Sequence, residues 1–166
     1  MKPDENQSEI WRARKTLAEW AAAVERIREL NRESERYAET SRECYDTLSR
    51  APPDGTSHAD GKARDMEETL ERAERTAREC AQAIKRNSRE IERLFLLKAE
   101  MDRAVWALPP SQERAVTLRY KRHQKWETIA RQLNASERTV RRWDHAALKK
   151  LSRNEKLTAF VRKSVV

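Results

Sequence analysis

Apolar residues recur every seven positions through two long stretches of this chain, and a single segment rich in turn formers separates them. In the first stretch Ile10, Leu17, Val24 and Tyr45 form one series and Ala13, Trp20, Ile27 and Leu48 the other. Leu30, Tyr37 and Cys44 take over midway, and Asn31, Ser34 and Ser41 interrupt. That one-position shift is the drift expected when a helix of about 3.6 residues per turn meets a 3.5-residue repeat. The spacing predicts one long helix over residues 8–49. Residues 51–61, APPDGTSHADG, hold two prolines and both glycines of the chain, which predicts a hairpin loop. From there Ala63, Leu70, Ala77, Ile84, Ile91 and Val105 alternate with Met66, Ala73, Cys80, Leu94 and Met101. A second helix of comparable length follows, antiparallel to the first because the connection is short. A hinge near residue 55 sets Ala73 opposite Tyr37 and Trp20 near Glu90 and Ile91.

Composition supports helices throughout. Charged residues make up 39% of the chain and hydrophobic ones 37%, and only 2 of 166 residues are glycine, so long helices with narrow apolar seams are the expected solution. The expected fold is all-α: a long antiparallel, coiled-coil-like helical hairpin over 1–104 and a small helix-turn-helix domain with a C-terminal tail over 105–166. A two-helix hairpin has only one seam, so a homodimer formed through it is expected. Asn31 and Asn87 fall on the predicted seam, either fixing its register or sitting there as partly solvated breaks. Cys44 and Cys80 lack the spacing of a metal site or a disulfide framework and read as buried reduced thiols. With no signal-peptide pattern and no apolar run near 18 residues, the expectation is no membrane partner and a cytoplasmic location.

The net charge of +8 is unevenly spread: residues 104–166 hold 15 Lys and Arg against 5 Asp and Glu, whereas residues 1–103 hold 21 against 23. A cation excess confined to one segment is the footprint of polyanion binding. The same segment contains WETIARQLNASERTVRRWDH, residues 126–145, in which Ala130, Asn134 and Val140 have the spacing of a helix-turn-helix. Pro109 and Pro110 stop the second long helix and open a short one over 111–121, with Ser111 or a neighbour as its cap, Ala115, Val116, Leu118 and Tyr120 inside, and Arg114, Arg119, Lys121 and Arg122 outside. The next helix, 125–132, packs Trp126, Ile129 and Ala130 together with Leu133 just beyond it, and Ala130 is small because another helix crosses it. Asn134 takes the left-handed turn position, and Ser136 caps the recognition helix, 136–148. Val140, Trp143, Ala147, Leu148 and Leu151 face inward, and Trp126 and Trp143 read as core rather than as base-stacking platforms. Glu137, Arg138, Arg141, Arg142 and His145 face outward as candidate base readers, since Arg pairs with guanine O6 and N7 and Glu accepts from cytosine N4. His145 either contacts DNA or lies exposed, and Ser136, Arg119, Lys121, Arg122 and Lys125 are the candidate phosphate contacts. His58 and His123 show no ligand spacing.

On these residues the chain resembles region 4 of the sigma-70 family across roughly 108–152: Leu108-Pro109, Leu118-Arg119-Tyr120, Trp126 to Ala130, Ser136 to Val140 and Ala146 to Leu151 follow its pattern. The resemblance implies a recognition helix that reads a promoter element through Glu137, Arg138, Arg141 and Arg142, phosphate contacts from Ser136 and the cations of 119–125, and RNA polymerase as a further partner. Nothing resembles the family's promoter-melting region. A helical hairpin followed directly by such a head resembles phage and prophage late transcriptional regulators of the ArpU and RinA type, which implies an accessory regulator in a bacterial host cell, at the nucleoid.

The expected function is therefore a sequence-specific regulator that binds double-stranded DNA. A phage small-terminase-like packaging subunit and a coiled-coil interaction protein that binds no DNA are the alternatives. No Gly-rich phosphate loop, metal cluster or nucleophile–base pair is present, so neither an enzyme, a cofactor nor a small-molecule ligand is expected. In the tail, Leu157, Phe160, Val161 and Val165 are spaced to pack back on the protein or to dock on another one.

Overall fold

The computed structural model describes residues 5–50, 60–157 and 160 of the chain. They form α1 (Glu5–Arg50), α2 (Asp60–Trp106), α3 (Pro110–Val116), a π-helical turn (Thr117–Lys121), α4 (Trp126–Gln132) and α5 (Glu137–Ser152), with no strand among the described residues. The long helix α1 packs against α2 as a hairpin, and the smaller helices come after it. The expected loop falls largely on 51–59, outside the described residues, as do His58 and the tail positions Val161 and Val165. The end of that loop is corrected. Asp60 and Gly61 already belong to α2, because a first helical turn lacks the intrahelical N–H bonds that a glycine's backbone freedom weakens most further in.

The chain divides into two compact units. Met1–Arg26 with Arg93–Val166 make one, and Ile27–Glu92 the other. This grouping cuts the chain differently from the compositional division at 104, since the first residues of α1 and the last of α2 cluster with the short helices.

In the first unit Ala13, Thr16, Leu17, Trp20 and Ala23 of α1 and Leu94, Leu97, Met101 and Val105 of α2 are buried. Thr16 is tolerated there because its hydroxyl donates to the Arg12 carbonyl at 3.0 Å. The Trp20 indole N–H donates to Asp102 Oδ1 at 2.8 Å, and Lys98 Nζ reaches the other carboxylate oxygen at 2.6 Å. Lys121, from the π-helical turn, adds a third donor at 3.3 Å and lies over the Trp20 ring, 4.1 Å from its centroid. Burial raises the Asp102 carboxyl, but the Lys98 and Trp20 donors and the Lys121 charge outweigh it and hold the group below its ordinary value. Arg93 and Glu19 form an ion pair between the two helices.

In the second unit Ile27 and Leu30 of α1 and Ala73, Ala77, Cys80 and Ala83 of α2 are buried. Asn87 donates to the Leu30 carbonyl at 3.4 Å and to Ser34 Oγ at 3.2 Å, so its side chain pins the pairing of the two helices. Both cysteines are free, with Cys80 buried, and burial together with the neighbouring Cys44 pushes its thiol up.

Several seam assignments are corrected by this packing. Val24, Tyr37, Tyr45 and Met66 are exposed, as is Asn31; on α1 the buried stripe keeps the seven-residue step through Ala13, Trp20 and Ile27 and through Thr16, Ala23 and Leu30, so the second series lies one position before Val24 and Asn31. The register is corrected too. Trp20 meets Asp102, not Glu90 and Ile91, so the pairing slides toward the C-terminal part of α2.

Candidate nucleic-acid interface

Pro109 and Pro110 end the second long helix and start α3. Pro110 opens it and Pro109 occupies the cap position with no side-chain cap, its carbonyl accepting from Gln112 and Glu113, both at 2.9 Å. Ser111 therefore lies inside the first turn and does not cap it, a correction explained by proline's preset φ and missing N–H. The expected single helix over 111–121 is also two elements. From Thr117 the turn widens, with Arg122 N–H reaching the Thr117 carbonyl at 3.2 Å, five residues back. The wider turn rotates the side chains around the helix axis: Arg119 comes to lie over Trp126 of α4, Tyr120 meets Asp144 of α5, and Lys121 reaches Trp20 and Asp102. His123, at φ 51, then reverses the chain.

α4 ends in a Schellman arrangement. Asn134 is left-handed at φ 48, Ala135 N–H returns to the Ala130 carbonyl at 3.0 Å and Asn134 N–H to that of Arg131 at 3.4 Å. α5 begins at once. Ser136 is extended, and its Oγ accepts from Thr139 N–H at 3.2 Å, satisfying one of the free donors of the helix start. Between these elements Ala115, Ile129, Ala130 and Val140 form a closed core, flanked by Leu118, Trp126, Leu133, Ala135 and Trp143. Ala147, Leu148, Leu151 and Leu157 are also buried, so the start of the tail packs against the protein.

Glu137, Arg138, Arg141, Arg142 and His145 are all exposed on α5, as are Lys149 and Lys150 after them. Arg141 pairs with Glu137 at 3.4 Å and lies 5.5 Å from the centroid of the Trp126 ring. Arg119 faces the same ring at 4.5 Å and donates to the Gln124 carbonyl at 2.9 Å. Trp126 is thus half-buried against the core while it orients two guanidinium groups, and both have donors left over. Arg122 and Lys125 lie in the link before α4, both exposed. Ser136 Oγ accepts at the cap while its side chain stays exposed, and Lys121 pairs with Asp102 at 3.3 Å.

Sequence reasoning missed Asp144. It lies on α5 among basic residues yet is only 4% exposed. Burial raises its carboxyl above the ordinary value, against the opposing charge of Arg14 and a hydrogen bond from the Tyr120 hydroxyl. Tyr120 is itself pushed up by burial and by Asp144. Arg14 was missed as well, since nothing in the pattern of α1 distinguishes it from the other solvated arginines of that helix. The one available signal is the phase of Asp144, four residues after Val140 on the inward side of α5. Among the described residues no group of three His, Cys, Asp or Glu side chains is placed to hold a metal ion, and no helix is long and apolar enough to cross a membrane.

No curated protein and no solved structure matches the chain. A family model described as "Protein of unknown function (DUF722)" matches residues 26–153, a span that covers the second half of α1, all of α2 and all of α3, α4 and α5. With more than half of its length matched, the chain belongs to the DUF722 family.

Proposed function

We propose that this protein is a sequence-specific double-stranded DNA-binding regulator of transcription, phage or prophage encoded, that reads the major groove with α5. The observation that carries the reading is the exposed row Glu137, Arg138, Arg141, Arg142 and His145 on a helix whose start is held by the left-handed Asn134 and the Ser136 cap. These residue types match base-edge donors and acceptors, and the closed core beneath leaves them free to enter a groove. The cation excess of 104–166 supplies the sequence-independent attraction that such reading requires. Homodimerisation belongs to the same proposal, because one small head makes few contacts and a pair reads two half-sites. Exposed Phe95, Leu96 and Trp106 on α2 offer apolar surface that a second copy would cover.

The test is binding of the full chain to duplex DNA by fluorescence anisotropy across a salt series. The expected result is affinity that falls linearly in log–log form as salt rises. Absent or salt-independent binding would leave a helical interaction protein and remove the DNA reading.

A further inference from the structure

Beside α5 the first unit contains a cleft of about 360 Å³ lined by Arg14, Arg119, Tyr120, Trp126, Arg141, Asp144 and His145. We propose that this cleft seats a backbone phosphodiester of the bound duplex and that Arg14, on α1, is one of its ligands. The inference rests on the DNA-binding reading above and deepens it, because it makes the first long helix part of the DNA-contacting surface.

Three arginines line the cleft against the Asp144 carboxylate within it and Glu137, which pairs with Arg141, so a net cation remains. Two of them are already held: Arg119 by the Gln124 carbonyl and the Trp126 ring, Arg141 by Glu137 and the same ring. Ordering them on an anion therefore costs little further side-chain entropy, and each keeps donors to spare. Asp144 is nearly fully buried at the cleft wall, and its Oδ1 has no hydrogen-bond partner. A phosphodiester has no donor for that oxygen, so Asp144 is no ligand of the anion; it accepts from the Tyr120 hydroxyl, which in turn is hydrogen-bonded by Arg14, and this places Arg14 at the cleft. Arg141 and His145, finally, belong both to the cleft and to the exposed row of α5. A strand whose bases meet that row runs its phosphates along the helix edge, and phosphate contacts of this kind set the register from which bases are read. The guanidinium fork of Arg14 suits two phosphate oxygens at once.

The experiment compares full-length wild type, Arg14→Ala, Arg14→Lys and a charge-matched control, Arg72→Ala, on the exposed surface of α2. Each is titrated with a duplex of about 25 base pairs across salt. Arg14→Ala is expected to reduce the steepness of log K against log salt by about 0.9, the contribution of one phosphate, so that roughly threefold less affinity is lost between about 50 and 200 mM salt. Arg14→Lys recovers the slope, and Arg72→Ala does not change it. Because Arg14→Ala leaves Asp144 without the Arg14 charge, the pair Arg14→Ala with Asp144→Asn is measured too, and the same slope change is expected. Unchanged slopes in both, with wild type still salt-dependent, would overturn the seat while sparing the DNA reading. Wild type that binds no duplex overturns both. Calorimetric titration with inorganic phosphate separates the source: saturation by the free ion at millimolar level that Arg14→Ala abolishes, without any effect of Arg14→Ala on DNA, assigns the cleft to a small anion and refutes the proposal.

Discussion

Replacing Trp20 with Phe tests how firmly α1 is tied to the reading head. The wild-type indole is 2% exposed, donates to Asp102 at 2.8 Å and lies under Lys121 at 4.1 Å, so three losses combine. A hydrogen bond to a charged group is worth about 1.5–3 kcal/mol, and the lower end applies because the Asp102 side chain is 38% exposed and water partly replaces the donor. Removing the pyrrole half of the ring withdraws roughly 40 Å² of buried surface, about 1 kcal/mol at ~25 cal/mol per Å². The weaker ring face costs about 0.5 kcal/mol of the Lys121 interaction. Together the substitution should destabilise the protein by about 3 kcal/mol in urea unfolding followed by helical circular dichroism. In an Asp102→Asn background it should cost about 1–1.5 kcal/mol less, because the charged acceptor is already gone. A loss below about 0.5 kcal/mol, or the same loss in both backgrounds, would refute the Trp20–Asp102–Lys121 knot as the tie between α1, α2 and the π-helical turn.

Ser136→Ala should cost about 1 kcal/mol, because Thr139 N–H at the start of α5 loses its acceptor; urea unfolding checks this, and a neutral result would remove the cap from the account. Arg142→Ala should weaken binding to a selected duplex by about 1–3 kcal/mol and to a shuffled one by much less, and equal losses on both would show that Arg142 meets only phosphate. The carboxylates of Asp144 and Asp102 should respond to pH with opposite sign. Asp144 is raised by burial, so it favours the fold below the ordinary value of 3.8 and loses that contribution as pH rises through its folded-state value. Asp102 is lowered, so it contributes above 3.8 and loses that as pH falls through its folded-state value. Measured against wild type from about pH 3 to 7, Asp144→Asn should gain relative stability with rising pH and Asp102→Asn should lose it, and like signs for both would contradict the assigned environments.

Local features were legible in the sequence. Asn134, Ser136, Ala130 and Val140 lie within eleven positions of one another, and the demands on each, a left-handed backbone, a side-chain acceptor, a small contact and a buried methyl pair, are met by residue type alone. The outward row of α5 came from the same phase. Partners distant in sequence were not legible. Asp102 meets Trp20 across 82 positions, and Asp144 feels the charge of Arg14 on the first helix, so neither pair leaves a mark in local spacing. Register was hidden for a different reason. The expected pairing was counted from a hinge near residue 55, and Trp20 instead meets Asp102, 11 positions beyond Ile91; that slide, together with Asn87 on Leu30 and Ser34, is visible only in the packing. The π-helical turn was also silent, because Thr117 to Lys121 has no composition that distinguishes it from ordinary helix, yet its wider turn is what aims Arg119 and Tyr120.

The most direct test of the central claim is a competition between a duplex selected by the full-length protein from a random pool and a shuffled duplex of the same composition, at about 0.15 M salt. A head that reads bases through α5 should prefer the selected duplex by at least about 10³-fold. Equal affinity for the two would contradict it, leaving a basic helical surface that binds the phosphate backbone without reading sequence.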